Sequence, residues 1–275
     1  MKNKQLIYTT FKGRGDYPEY NDLIWEWLIS LRTLGKYQGD IIVFDYGGGG
    51  SLLEKFGEST KFGNISFIPL PVRPSSEISN WRNLDVIPLL KNHTDYSIAH
   101  FDADVWFQED VGPMFEDIED LEGAYLGVEP RRSCNFRNGP PELLEEYESN
   151  CKKIGGFIFG GFFAGKQKPF LERLERIKKI YEEKKWDIHT WGTDQSIFQI
   201  LLDFSKDRVD GNKWAASHYL CEFKDGKWYL GEEPVKGLHL VAFGRNRADS
   251  LERMDKNYRF KHLHKDIYES WKSPQ

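Results

Sequence analysis

The stretch "HFDADVWFQEDV" (His100 to Val111) sets two aspartates, Asp102 and Asp104, one residue apart at the end of an apolar run. A strand advances about 3.3 Å per residue and its side chains alternate between faces. Read as one continuous strand, "YSIAHFDADVWF" puts both carboxylates on the same face, with Cα atoms about 6–7 Å apart, and turns Ala103 the other way into packing. Two like charges that close repel each other. A divalent cation offsets the repulsion, and oxygen ligands suit magnesium or manganese. The ordinary alternative is a solvent-exposed turn, where Asp-x-Asp also falls by chance. The apolar "YSIAHF" ahead of the pair favours a buried strand that delivers it to a strand end.

The elements that would position this pair alternate along the first half of the chain. "KQLIYTTF" (Lys4 to Phe11) reads as a strand. "NDLIWEWLISLRTLG" reads as a helix, with Leu23, Trp27, Leu31 and Leu34 at helical spacing and Gly35 as its cap. "GDIIVFDYGGGG" (Gly39 to Gly50) reads as a strand running into a flexible turn, "NISFIPL" as another strand and "NLDVIPLLKNH" as a short helix. Such alternation packs as a parallel sheet covered by helices, where ligands bind beyond the carboxyl ends of the strands.

The second half is less regular. "GAYLGVEPR" is strand-like and "NCKKIGGFIFGGFFAGK" is apolar and glycine-rich. "KPFLERLERIKKIYEEKKW" is an amphipathic helix with Phe170, Leu174, Ile177 and Tyr181 on one side. "GTDQSIFQILL" reads as a helix with Thr193 or Asp194 near its cap. "HYLCEFKDGKWYL" reads as a hairpin turned at Asp225-Gly226, and "GLHLVAF" (Gly237 to Phe243) as a late strand. The tail beyond is charged and partly helical, and neither a repeat nor a linker interrupts the chain.

Composition bounds the function classes. A formal net charge of -5 argues against non-specific nucleic-acid binding, which wants a basic field. Cys134, Cys151 and Cys221 have no zinc spacing and, as three, cannot all pair within one chain, so a reducing, cytoplasmic setting is expected. The N-terminus does not read as a signal peptide, and no run approaches the roughly eighteen apolar residues of a membrane span. An aromatic fraction of 15% suits a cleft that stacks bases or the apolar faces of sugars.

"WRNLDVIPLLKNHTDYSIAHFDADVWFQEDVGPMFE" resembles the central motif of GT-A fold glycosyltransferases, in particular the glycogenin and lipopolysaccharide galactosyltransferase group (glycosyltransferase family 8-like). In that family an arginine precedes a Pro-Leu-Leu helix, a strand ends in Asp-x-Asp, and a loop and short helix follow. The likeness extends in order from about Gln5 to Phe243, but only about forty central residues carry it specifically. It implies an α/β GT-A fold, with a mostly parallel central sheet flanked by helices and a small antiparallel portion. It also implies one catalytic domain over 1–275: a nucleotide-binding half at 1–110, an acceptor and sugar half at 111–245, and a charged tail at 246–275. The implied activity is metal-dependent transfer of a hexose from a nucleotide sugar, a UDP-sugar, to a saccharide or lipid-linked saccharide. The resemblance implies retention of configuration, with inversion left open because Asp194 could serve as a general base. It also implies Mn2+ (or Mg2+) as cofactor and surface-polysaccharide synthesis as the setting.

The resemblance assigns residues as well. Asp102, Asp104 and the late His239 would hold the metal. His218 and His189 are less well placed for that task. Asp102 also reaches the ribose, and Arg82 neutralises phosphate or orients Asp102. Thr9, Thr10 and Phe11 hold the base and ribose, with Asp45 and Tyr46 as lesser candidates. Asp194 and Gln195, beside Trp191, face the reacting sugar or the acceptor. Each has a bland alternative: Phe11 as core, Arg82 as a surface arginine, His239 as a satisfied strand histidine, Asp194 as a first-turn helix acid. The family's late Lys-Pro-Trp is replaced by "GLHLVAFGRNR", so Arg245 or Arg247 would supply that charge. "GGFIFGGFFAG" lacks both the P-loop ending and the family's asparagine, and its glycines would let the backbone approach the donor sugar. Two rival classes stay open: a carbohydrate- or nucleotide-binding protein without transfer, and a metal-dependent hydrolase or nucleotidyltransferase.

Overall fold

Alternating burial along the first strands sorts their side chains into two cores. Leu6 and Tyr8 of the first strand, Ile42 and Phe44 of the second and Ile98 of the fourth belong to one cluster. Ile7, Phe11, Ile41, Val43, Ala99 and Phe101 belong to the other. Strands buried on both faces need helices on both sides. The computed structural model describes residues 3–13, 22–47, 63–130, 136, 139–190, 192–240 and 266.

In chain order the elements are β1 (Lys4–Phe11), α1 (Asp22–Thr33), β2 (Asp40–Asp45), β3 (Ile65–Pro69), α2 (Ile78–Asp85), α3 (Ile87–Leu90), β4 (Tyr96–Phe101), β5 (Val105–Phe107), α4 (Gly112–Glu119), β6 (Tyr125–Glu129), α5 (Leu144–Ile154), β7 (Phe157–Lys166), α6 (Gln167–Lys184), α7 (Thr193–Ile200), β8 (Ala216–Ser217), β9 (Glu222–Lys224), β10 (Lys227–Leu230), β11 (Glu233–Pro234) and β12 (Gly237–His239). The main sheet has six strands in the order β3-β2-β1-β4-β7-β6. The first four named are mutually parallel, whereas β7 runs antiparallel to both β4 and β6. Two small sheets supply the expected antiparallel portion: β11-β10-β9 is antiparallel throughout, and in β5-β12-β8 the strand β12 runs antiparallel to β5 and parallel to β8.

Helix α1 covers one face through Ile24, Trp27, Leu28 and Leu31. Helices α3, α6 and α7 cover the other, with Phe170, Leu174, Ile177 and Tyr181 of α6 buried as the periodicity predicts. Each such side chain taken out of water contributes about 1.5–3 kcal/mol. The Asp225-Gly226 turn has φ of +51° and +78°, the doubly left-handed geometry of a tight hairpin.

The chain leaves β1 toward β2 and β3 on one side, then returns to place β4 on the other. Their carboxyl ends diverge there, which makes the β1/β4 boundary the topological switch point of the sheet. The expected continuous strand over 96–107 is broken. β4 stops at Phe101 and β5 restarts at Val105, because residues 102–104 form a turn. The late strand ends at His239 within the described residues. Arg245, Arg247, Trp191, Cys134 and all of the charged tail except Asp266 lie outside them. No helix among the described residues is long and apolar enough to cross a membrane.

Candidate functional site

The turn that ends β4 is held from three directions. The Val105 N–H donates to the Asp102 carbonyl at 3.0 Å and closes the turn itself. The Asp102 N–H donates to the Gly161 carbonyl on β7 at 2.9 Å, and the Leu240 N–H donates to the Asp104 carbonyl at 3.0 Å. Because β12 pairs antiparallel with β5, His239 sits opposite Val105 and comes level with the turn.

Asp102, Asp104 and His239 therefore meet, with one ligand atom from each within 4.8 Å of the others. His239 Nε2 is 3.1 Å from Asp104 Oδ1 and 3.4 Å from Asp102 Oδ2. Strand alternation is not the cause: a turn anchored by β7 and by the residue just after β12 brings the carboxylates together. Burial would depress the His239 pKa, but the Asp104 and Asp102 carboxylates outweigh it and push it up to about 10. Burial would raise Asp102, yet Arg82 and then His239 hold its carboxyl well below the usual range. Without a metal, the imidazolium occupies the place of a cation between the carboxylates. Two carboxylate oxygens and an imidazole nitrogen make a donor set that fits a divalent ion.

Arg82 reaches this group from α2. Its Nε donates to the Ser79 carbonyl at 3.1 Å within its own helix. Its Nη1 pairs with Asp102 Oδ1, while its Nη2 donates to the Gly160 carbonyl at 2.9 Å and to Asp194 Oδ2 at 3.1 Å. A planar guanidinium can hold several acceptors at once in fixed directions, which a lysine cannot. The fork leaves Asp102 Oδ2 facing His239.

Asp194 is the second residue of α7 and is 1% exposed. Asn83 Nδ2 lies 3.5 Å from Asp194 Oδ2, on the same oxygen as Arg82, and Asp194 Oδ1 is buried without a hydrogen-bond partner among the described residues. Burial raises the Asp194 pKa, against Arg82, which lowers it. Gln195 next to it is half-buried, the least buried described side chain at the start of α7.

The glycine pair of β7 makes the close approach possible. A Cβ on Gly160 would lie 2.6 Å from Arg82 Nη2 and 3.0 Å from Asp194 Oδ2. One on Gly161 would lie 2.5 Å from the Phe159 ring and 2.9 Å from His239 Cε1. The Phe159 ring in turn packs against the His239 imidazole, centroids 5.4 Å apart. These glycines admit the protein's own Arg82, Asp194, Phe159 and His239.

On the β1 side, Thr9 is fully buried with its hydroxyl unpartnered among the described residues, and Thr10 is 9% exposed. Phe11 is buried in the core cluster beneath α1. Tyr46 is buried and its hydroxyl donates to Asp85 at 3.2 Å, while Asp45 accepts from the Gly47 N–H at 2.7 Å. Of the other histidines weighed, His189 is exposed and pairs with Glu77 at 2.7 Å, and His218 lies in a short turn after β8. Sequence reasoning missed Asn80 and Asn83, both buried on α2. The available signal was their three-residue spacing, which puts two amides on one side of a short helix.

No protein-family model matches the chain, and no curated protein matches it in sequence. Among solved structures it superposes on the galactosyltransferase LgtC, solved in complex with donor and acceptor sugar analogues. The TM-score is 0.56 at 14% identity, over 98% of this chain and 97% of LgtC. It also matches WbbM, a bifunctional glycosyltransferase solved in its apo form, with a TM-score of 0.55 at 12% identity. That match covers 96% of this chain and 52% of WbbM, so the chain spans about half the length of that protein. The shared property at these identities is the fold, and the GT-A fold expected from the sequence is the fold of this chain.

Proposed function

We propose that this chain is a metal-dependent hexosyltransferase that takes a UDP-sugar as donor and a saccharide or lipid-linked saccharide hydroxyl as acceptor. The carrying observation is the meeting of Asp102, Asp104 and His239 at the carboxyl end of β4, beside the switch point of the sheet. The fold shared with a galactosyltransferase that was solved with donor and acceptor sugar analogues supports the reading. Mn2+ or Mg2+ on these three residues would supply Lewis-acid neutralisation of the charge on the departing diphosphate.

The chain's own residues divide the remaining work. Arg82 orients Asp102 and brings fixed positive charge toward the leaving phosphates, and Arg245 is proposed as a second source of charge for them. Thr9, Thr10 and Phe11 border the nucleoside pocket. Gln195 faces the reacting sugar, and Asp194 behind it holds Arg82 in place. An inverting reaction needs a carboxylate positioned as general base. Asp194 is 1% exposed and pinned through one oxygen by Arg82, which supports retention. The proposed setting is surface-polysaccharide synthesis on the cytoplasmic side.

Calorimetry with a panel of UDP-, GDP-, ADP- and CMP-sugars, with and without Mn2+, tests the proposal on wild type and Asp104→Asn. The expected result is metal-dependent binding of a UDP-sugar that is lost in the variant, with UDP release accelerated by a saccharide acceptor. UDP release indifferent to every acceptor would identify a nucleotide-sugar hydrolase. A folded protein that binds nothing in the panel would sink the reading.

A further inference from the structure

We infer that Asn80 is a positioning residue that sets α7, and with it Asp194 and Gln195, against Arg82; the inference rests on the transferase reading above. Asn80 is completely buried. Its Nδ2 donates to the Ile188 carbonyl at 2.6 Å and to the Thr190 carbonyl at 2.8 Å. Its Oδ1 accepts the Asp194 N–H at 3.0 Å. One side chain on α2 thus uses three hydrogen bonds on the segment that ends in the first turn of α7.

The need for such a residue follows from how α7 begins. The first N–H groups of a helix lack partners within it, and an Ser, Thr, Asp or Asn at the N-cap ordinarily supplies one. The N-cap of α7 is Gly192, at φ +81°, which has no side chain to offer. Asn80 supplies the acceptor from the neighbouring helix. Thr193 cannot replace it, because its hydroxyl is turned back to the Asp187 and Thr190 carbonyls at 3.1 and 2.8 Å. Two residues along α2, Arg82 grips the carboxylate of the same Asp194 whose amide Asn80 holds. Backbone and side chain of Asp194 are therefore fixed by one helix, which sets where Gln195 stands.

The metal group has separate anchors, on β7 and on Leu240. Loss of Asn80 should therefore disturb turnover without disturbing metal–nucleotide binding. Asn80→Ala removes all three bonds. Asn80→Asp keeps an acceptor for the Asp194 N–H, loses both donors and sets a carboxylate against two carbonyls. Both variants are compared with wild type for UDP binding in Mn2+ and for UDP release from UDP-glucose and UDP-galactose. The expected result is a fall in kcat on the order of 100-fold, the scale of an ångström-sized misplacement. UDP affinity and donor KM stay within about threefold of wild type. Amide exchange at Asp194 speeds up, while exchange along β4 does not change. A variant that binds UDP normally and keeps its kcat overturns the inference. So does a parallel fall of UDP affinity and kcat, which would make Asn80 a support for the whole site. If Asn80→Ala does not fold, Asn80→Asp decides on the same criteria. Wild type that binds UDP with Mn2+ yet releases no UDP from any UDP-hexose would instead remove the transferase reading on which the inference stands.

Discussion

Arg82 joins Asp102 to Asp194: Nη1 pairs with the first, and Nη2 lies 3.1 Å from Oδ2 of the second. The two carboxylates lie ninety-two residues apart in the chain, one at the end of β4 and one at the start of α7. A single guanidinium thereby couples the group that fits a metal to the first turn of α7.

Replacing Arg82 separates charge from geometry. Arg82→Lys keeps a positive charge but cannot hold both carboxylates and the Gly160 carbonyl in one plane. The expected outcome is a folded protein with kcat lowered by about two orders of magnitude. Arg82→Met leaves the buried Asp194 without a counter-charge and should lose roughly 3–5 kcal/mol of stability. Urea unfolding beside steady-state kinetics checks both.

A metal bound as proposed would compete with a proton for His239. Its folded-state pKa of about 10 means that the ring is protonated at neutral pH and must release a proton when an ion binds. Apparent Mn2+ affinity should rise by about tenfold per pH unit over pH 6.5 to 8.5, with close to one proton released. Calorimetry in two buffers of different ionisation enthalpy measures it, and His239→Ala should flatten the slope. The metal-free protein responds in the opposite sense. A pKa raised above the unfolded value of about 6.5 gives stability that is full below that pH. That stability is lost as pH rises toward about 10.

The paired glycines of β7 should divide by function. Gly161→Ala drives a methyl into Phe159 and His239 and should weaken Mn2+ binding by about tenfold or more. Gly160→Ala presses instead on Arg82 and Asp194, so turnover should fall further than Mn2+ affinity. Paramagnetic titration of Mn2+ beside UDP-release assays distinguishes them. Equal losses on both measures in both variants would contradict the division.

The parts of this site differ in how legible they were. The α/β alternation and the buried side of α6 could be read directly, because periodicity reports which face meets a core. Asp102 and Asp104 were visible as a motif, but not the turn that joins them. "DADV" contains no glycine or proline, and the turn exists because Gly161 on β7 and Leu240 just after β12 hold its backbone. His239 could be ranked above His189 and His218 only by resemblance; its pairing beside Val105 is a tertiary fact. Asn80 and Asn83 drew no reading from the sequence, because their partners on α7 and the segment before it are brought to them only by tertiary packing. Gly160 and Gly161 were expected to make room for substrate, whereas the residues nearest their missing Cβ positions are protein side chains.

Every strand of the six-stranded sheet lies before residue 167, whereas His239 arrives only with β12. During synthesis the sheet is fully translated about seventy residues before the third member of the proposed metal group emerges. A product that stops in that interval carries every strand of the six-stranded sheet but only Asp102 and Asp104 of the proposed metal group. Retention on an immobilised divalent ion would then separate finished chains from truncated ones, which a stain for secondary structure would count together.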